Sequence, residues 1–221
     1  FITEIFMPVF SNVYLNNAAT SFPKPDRVVK RVSEYLKSPP YNPRRVGIKK
    51  QDLDPIYRAK ETVARLIGAE SADRILFSSG GTASLNLAIN GLASEKCHFI
   101  TSEIEHNSVL RPLTKLAFDG RIDLDIVNAD GNGRIRPDDF LPFLRPDTRA
   151  IVVNHGSNVT GQIMDIASLS RLIRGRGICL VADGSQAIGH MPIDVLALGV
   201  DCYAFTGHKG LLGIQGIGGL Y

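Results

Sequence analysis

The chain has 221 residues, 44% hydrophobic and 21% charged, the proportions of an ordinary globular protein with one sizeable core. Its net charge is +3, but Lys and Arg are scattered, aromatic residues make up 7% and Trp is absent, so nothing supports a nucleic-acid-binding surface. No apolar run reaches the ~18 residues of a membrane span.

The opening FITEIFMPVF is apolar but short, without a basic leading region or a small-residue cleavage site, and does not read as a signal peptide. Cytoplasm is therefore the expected compartment, with Met7 a candidate start after a processing remnant at 1–6. Residues 25–38 predict a helix, because Val28, Val29, Val32, Tyr35 and Leu36 form one apolar stripe. A second helix is expected over 54–68, where Asp54 caps and Pro55 fills the first turn. Short apolar runs then alternate with helical patterns. The strands are ILFSS (75–79), CHFITS (97–102), IDLDIVN (122–128), RAIVVNH (149–155), GICLVAD (177–183) and DCYAFTG (201–207). The helices are 82–92, 107–119, 136–145 and 165–175, the third weakened by Pro142.

Strands apolar on both faces and separated by helices predict an α/β fold, a mostly parallel sheet covered on both sides. No repeat or linker interrupts it, so one domain is expected. Cys97, Cys179 and Cys202 have no C-x-x-C spacing and read as buried reduced thiols.

Ligands of such sheets bind beyond the carboxyl ends of the strands, and the polar residues collect there. Ser79-Gly80-Gly81-Thr82 follows a strand and opens a helix, so the Gly81 and Thr82 amides and the Thr82 hydroxyl suit an anion; a capped Gly-rich turn is the alternative. No Gly-Lys-Ser/Thr follows, so this is not a Walker loop. Asp183 ends a nearly wholly apolar strand, and a carboxylate there needs a cation or several donors unless it caps the next turn. A protonated pyridine nitrogen would be such a cation, with Gln186 three residues on near the ring's phenolic oxygen. Lys209, in TGHKG after the last strand, sits where desolvation frees an amine to attack a carbonyl as a Schiff base. Thr206 and His208 flank it as further phosphate donors. His106 is a ring partner or a helix cap, and Asn158 a ring-oxygen donor or a turn residue. His98 and His190 read as satisfied surface or cap residues, and His155 has no assigned task. NADGNGRIRPDD (128–139) resembles a calcium loop, yet Asp replaces the twelfth-position Glu, two arginines intrude and a strand precedes it, so a β-turn fits better and no metal site is expected. The tail GIQGIGG comes too late in the chain for a dinucleotide fingerprint.

Taken together, these segments resemble the class V aminotransferase superfamily of fold-type I pyridoxal phosphate enzymes, specifically its cysteine desulfurase and selenocysteine lyase group. The resemblance runs through YLNNAATSFPKP (14–25), ILFSSGGTASLNLAI (75–89), EHNSVLRPL (105–113), VVNHGSNVTGQI (152–163), VADGSQAIGHMPID (181–194) and FTGHKGLLGIQGIGGLY (205–221). Asn16 stands where Asp is common, and Ala83 where many relatives have Glu. The resemblance implies a three-layer αβα large domain with a mostly parallel, mixed sheet, divided as an N-terminal segment 1–19 and a cofactor domain 20–221. It implies pyridoxal 5'-phosphate as cofactor. Lys209 would carry the cofactor and move the substrate α-proton, and His106 would stack on the ring and assist. Asp183 would pair with the ring nitrogen, Gln186 and Asn158 with the ring oxygen, and Gly81, Thr82, Thr206 and His208 with the phosphate.

The implied activity is that of a lyase or transferase of sulfur metabolism. It would cleave the C–S or C–Se bond of cysteine or selenocysteine, giving alanine and a persulfide or selenide, in a homodimer that serves a sulfur-acceptor protein. Aminotransferase, epimerase and kynureninase-like activities share the same cofactor residues, and a truncated cofactor- or partner-binding protein is a further alternative. The family's attacking cysteine and carboxylate-binding arginine follow the HK motif in its C-terminal region, and Cys97, Cys179 and Cys202 match neither position. The chain thus reads as a fragment carrying the cofactor site.

Overall fold

The computed structural model describes residues 13–39, 54–94 and 96–221; the candidate start at Met7 lies outside them. Among the described residues the first helices are α1 (Asp26–Leu36) and α2 (Pro55–Leu66). There follow β1 (Leu76–Ser78), α3 (Gly81–Leu92), β2 (Cys97–Ser102), α4 (Asn107–Phe118), β3 (Ile122–Val127), β4 (Thr148–Asn154) and α5 (Ile166–Ile173), and then β5 (Cys179–Asp183), α6 (Val195–Leu198), β6 (Cys202–Thr206) and β7 (Gly218–Leu220). The strands form one sheet in the order β1-β7-β6-β5-β4-β2-β3. Strands β2 to β6 pair in parallel, while β7 lies antiparallel between β1 and β6 and makes the sheet mixed.

Two apolar layers cover this sheet. Along β4, Ala150 and Val152 join a cluster with Leu85 and Ile89 of α3 and Leu113 of α4. Ile151 and Val153 point the other way, into a cluster with Ile166 and Leu169 of α5 and Val195 of α6. All four β4 residues are fully buried, and each Val or Ile removed from water contributes about 1.5–3 kcal/mol. This two-faced burial is why the central strands read as unbroken apolar runs.

Asp54 caps α2 as expected, its Oδ1 accepting from Ile56 N at 2.8 Å. Residues 136–145 depart from expectation: Pro137–Phe143 is a 3₁₀ helix, since Pro142 cannot donate into an α ladder, and Phe140 alone is buried there. Helix α1 forms, yet none of its residues is buried, and Val29, Tyr35 and Leu36 are exposed. His98, expected at the surface, is wholly buried; its Nδ1 meets Thr148 Oγ1 at 2.9 Å and its Nε2 meets Asp125 Oδ2 at 3.1 Å. Of the three thiols, Cys97 is buried and Cys179 and Cys202 are half-buried, all free. In the NADGNGR loop, Asp130 Oδ1 accepts from the amides of Asn132 and Arg134, a side-chain-organised turn.

The loops after β5 and β6 touch at two glycines. Gly189 has φ +82°, and a Cβ there would lie 2.4 Å from the Gly210 carbonyl carbon and oxygen. That contact fixes the chain immediately after Lys209. Gly189→Ala adds a left-handed strain and a clash with rigid backbone, so it should cost roughly 2–4 kcal/mol in denaturant unfolding. An unchanged midpoint would mean that the two loops separate freely.

Candidate active site

The carboxyl ends of β2, β4, β5 and β6 open into one cleft of about 760 Å³. Gly81, Thr82, His106, Asn158, Asp183, Gln186, Thr206, His208 and Lys209 all line it.

At one end stands the N-terminus of α3. Gly80 has φ +148°, a conformation open to glycine, and turns the chain out of β1 into the helix. Gly81 is buried, and a Cβ on it would sit 2.6 Å from Ser185 Oγ, so any larger residue would push the Ser185 hydroxyl out of its place in the turn after β5. The first amides of a helix have no carbonyl partner within it, which makes this end attractive to anions. Thr82 Oγ1 lies 2.7 Å from Ser108 Oγ, itself 2.7 Å from His106 Nδ1. Thr206 is buried at the end of β6, and His208 Nδ1 is buried without a partner among the described residues. Burial, then the charges of Lys209 and Lys24, keeps the His208 imidazole toward its neutral form.

The middle of the cleft holds the carboxylate and the amine. Asp183 is 6% exposed, and Oδ1 accepts from Ser185 N at 3.0 Å, so it does cap its own turn; a turn rather than a helix follows. No Lys, Arg or His pairs with it in a salt bridge among the described residues. Behind it, His155 Nδ1 meets Tyr203 Oη at 3.0 Å, which gives the unassigned histidine a structural task. The Tyr203 ring leaves no room at Gly184, where a Cβ would lie 2.0 Å from it. Lys209 is half-buried; desolvation lowers the pKa of its amine, and the Asp183 charge opposes this. His106 caps α4, its Nδ1 accepting from Ser108 N at 3.1 Å, so a neutral ring carries its proton on Nε2. Asn158 is exposed on the loop after β4.

The segment preceding α1 closes the far side, with Asn16, Ala18 and Ala19 in the lining. Gln186 Nε2 donates to the Ala18 carbonyl at 3.0 Å. Four donors converge on the His208 carbonyl: Ser21 N at 3.0 Å, Ser21 Oγ and Thr20 Oγ1 at 3.1 Å, and Lys24 Nζ at 2.9 Å. This clasp grips the peptide just before Lys209. Sequence reasoning gave no role to Thr20, Ser21, Lys24, Ser108 and Ser185; the signal that could have found them was their place inside YLNNAATSFPKP, EHNSVLRPL and VADGSQAIGHMPID, motifs that carry the resemblance.

Residues 13–221 match the family Aminotransferase class-V. The chain is 37% identical over 217 residues to cysteine desulfurase IscS of Dictyoglomus turgidum, an alignment of 95% of this chain with 53% of that protein. It is 35% identical over 213 residues to a probable cysteine desulfurase of Methanothermobacter thermautotrophicus, covering 95% and 52%. The apo structure of cysteine desulfurase from Thermococcus onnurineus NA1 superposes with a TM-score of 0.82 at 30% identity, over 95% of this chain and 53% of that one. SspA in complex with cysteine gives 0.84 at 29% identity, over 95% and 61%. The chain spans about half the length of the curated relatives it matches. With the family match running from residue 13 to residue 221 and the solved relatives sharing the fold, this chain belongs to the class V aminotransferase family.

Proposed function

We propose that this chain is the cofactor-binding part of a pyridoxal 5'-phosphate enzyme of the cysteine desulfurase type. Its substrate would be cysteine or selenocysteine, split into alanine and a sulfur or selenium atom passed to an acceptor thiol or released. The observation that carries the proposal is the meeting of a desolvated amine, a buried carboxylate and a helix N-terminus in one cleft. Relatives named as cysteine desulfurases, and a neighbour structure holding cysteine, support the substrate class.

The residues fit the cofactor. Asp183 is a buried carboxylate with a single backbone donor and no salt-bridge partner among the described residues, and a protonated ring nitrogen is the cation it lacks. The buried Nδ1 of His208 is an unused polar atom, which suits a phosphate when it carries the ring proton. Gly81, Thr82 and Thr206 would share that phosphate, Gln186 and Asn158 the ring oxygen, and His106 the ring face. When bound, pyridoxal phosphate supplies an electron sink for a deprotonated substrate α-carbon.

What the protein adds is placement. Lys209 Nζ, kept toward the free amine by burial, is the group that holds the cofactor and moves the α-proton. The clasp on the His208 carbonyl fixes the backbone from which that side chain extends. We extend the proposal to a homodimer, as the family resemblance implies, in the cytoplasm. Leu15 and Val159, next to cleft residues, are 89% and 79% exposed and suit a partner's surface.

Lys209→Ala should abolish the visible violet absorbance of protein incubated with pyridoxal phosphate, and the longer protein, given cysteine and an excess of a dithiol that reduces the transferred sulfur, should yield alanine and sulfide. Retained absorbance, or a keto-acid product, would contradict the assignment. Because its pKa is lowered, Lys209 has more free amine at a given pH, so the rate of cofactor capture should titrate below the 10.5 of a free lysine. A midpoint at or above that value would remove the desolvated amine. Lys24→Met should weaken cofactor binding about tenfold, one charge-assisted hydrogen bond, with partial rescue by Lys24→Arg. An unchanged dissociation constant would mean that the clasp does not position Lys209.

A further inference from the structure

Glu105 joins β2 to α4 and is 7% exposed, yet it takes part in no salt bridge among the described residues. Its Oε1 accepts from Ser102 Oγ and from Asn154 Nδ2, while Oε2 is buried with no partner. Asn154 is 4% exposed and uses Nδ2 twice, donating to Glu105 at 3.1 Å and to the Ile104 carbonyl at 2.9 Å. Its Oδ1 is buried with no donor. Two of the three unpartnered buried side-chain atoms among the described residues therefore belong to groups already bonded to each other. A carboxylate only accepts, whereas a carboxylic acid also donates. One proton on Oε2 would give both atoms a partner and remove an uncompensated buried charge.

We propose that Glu105 is a positioning residue of the cleft: it stands as a neutral carboxylic acid whose Oε2–H donates to Asn154 Oδ1 while Oε1 accepts from Asn154 Nδ2, a closed acid–amide pair beside Asp183. Asn154 lines the cleft, and its Cα pairs with that of Asp183 across β4 and β5. Burial pushes the Glu105 carboxyl up to about 8 against the donors Ser102 and Asn154, and the Asp183 charge adds to the rise. The other titratable groups nearby are His106, turned to Ser108; His155, kept toward neutral by burial and paired with Tyr203; and Lys209, on the far side of Asp183. A neutral Glu105 leaves Asp183, the one acidic residue in the cleft lining, as the sole negative charge facing the ring nitrogen. That last consequence rests on the proposed cofactor site; the pair itself does not.

The test compares the cofactor-free wild type with Glu105→Gln, whose amide keeps both bonds, and Glu105→Ala, which keeps neither. At about pH 7, well above the ordinary pKa of a glutamate, the infrared difference spectrum of wild type against E105Q should contain the carbonyl stretch of a protonated acid. The folded carboxyl titrates above the 4.5 of its unfolded value, so stability present below that pH is lost as pH rises toward about 8. The unfolding constant of wild type relative to E105Q should therefore climb by up to about tenfold per pH unit across that window. E105Q should bind pyridoxal phosphate within about twofold of wild type, and E105A about tenfold more weakly. Carboxylate bands alone, or parallel pH dependences in wild type and E105Q, would overturn the pair, whether or not E105A folds. A wild type that captures no cofactor would instead overturn the cofactor reading, leaving the spectra and the pH comparison to decide the pair.

Discussion

A carboxylate taken out of water with no salt-bridge partner among the described residues is the constraint around which this fold is arranged. Isolated burial of that kind costs several kcal/mol unless a cation or a set of donors offsets it. Asp183 has one backbone donor, a tyrosine ring packed behind its turn, and a lysine whose charge acts on it from across the cleft. The parallel sheet makes this possible. Registered pairing sets Asn154 and Asp183, the last residues of β4 and β5, side by side, with Ala204 of β6 next in line two residues before that strand ends, so the polar residues around these strand ends meet without any loop having to cross the core. A protonated heterocycle would complete such a site, and the glycine-led helix end beside it would take the negative end of the same proposed molecule.

Much of this was legible in the sequence because it is local. Strands buried on both faces wrote themselves as apolar runs, and the groups with chemistry fell at their last residue or a few residues beyond, as at Asp183 and Lys209. The 3₁₀ segment around Pro142 was misread because helical spacing cannot register a missing amide. The stripe on α1 was read correctly as a pattern, but a stripe says nothing of what covers it. What stayed hidden was long-range. Lys24 and His208 lie 184 residues apart, and a lysine in a loop has no spacing that announces a carbonyl partner. Glu105 and Asn154 lie 49 residues apart, and only their burial makes their protonation a question. His98 was misplaced for the same reason: its two partners come from other segments.

The division of labour follows from what the chain covers. It aligns over nearly all its length with about half of each curated relative, and that half contains the sheet, the helix end, the amine and the carboxylate. None of its three cysteines lies in the cleft lining among the described residues.

The most direct measurement is peptide mapping by mass spectrometry after the protein is mixed with pyridoxal phosphate and reduced with borohydride. The account predicts one stoichiometric adduct, on Lys209, that free phosphate diminishes by competing at the α3 end of the cleft. Adducts spread over surface lysines, or a modification centred on Lys24, would contradict it.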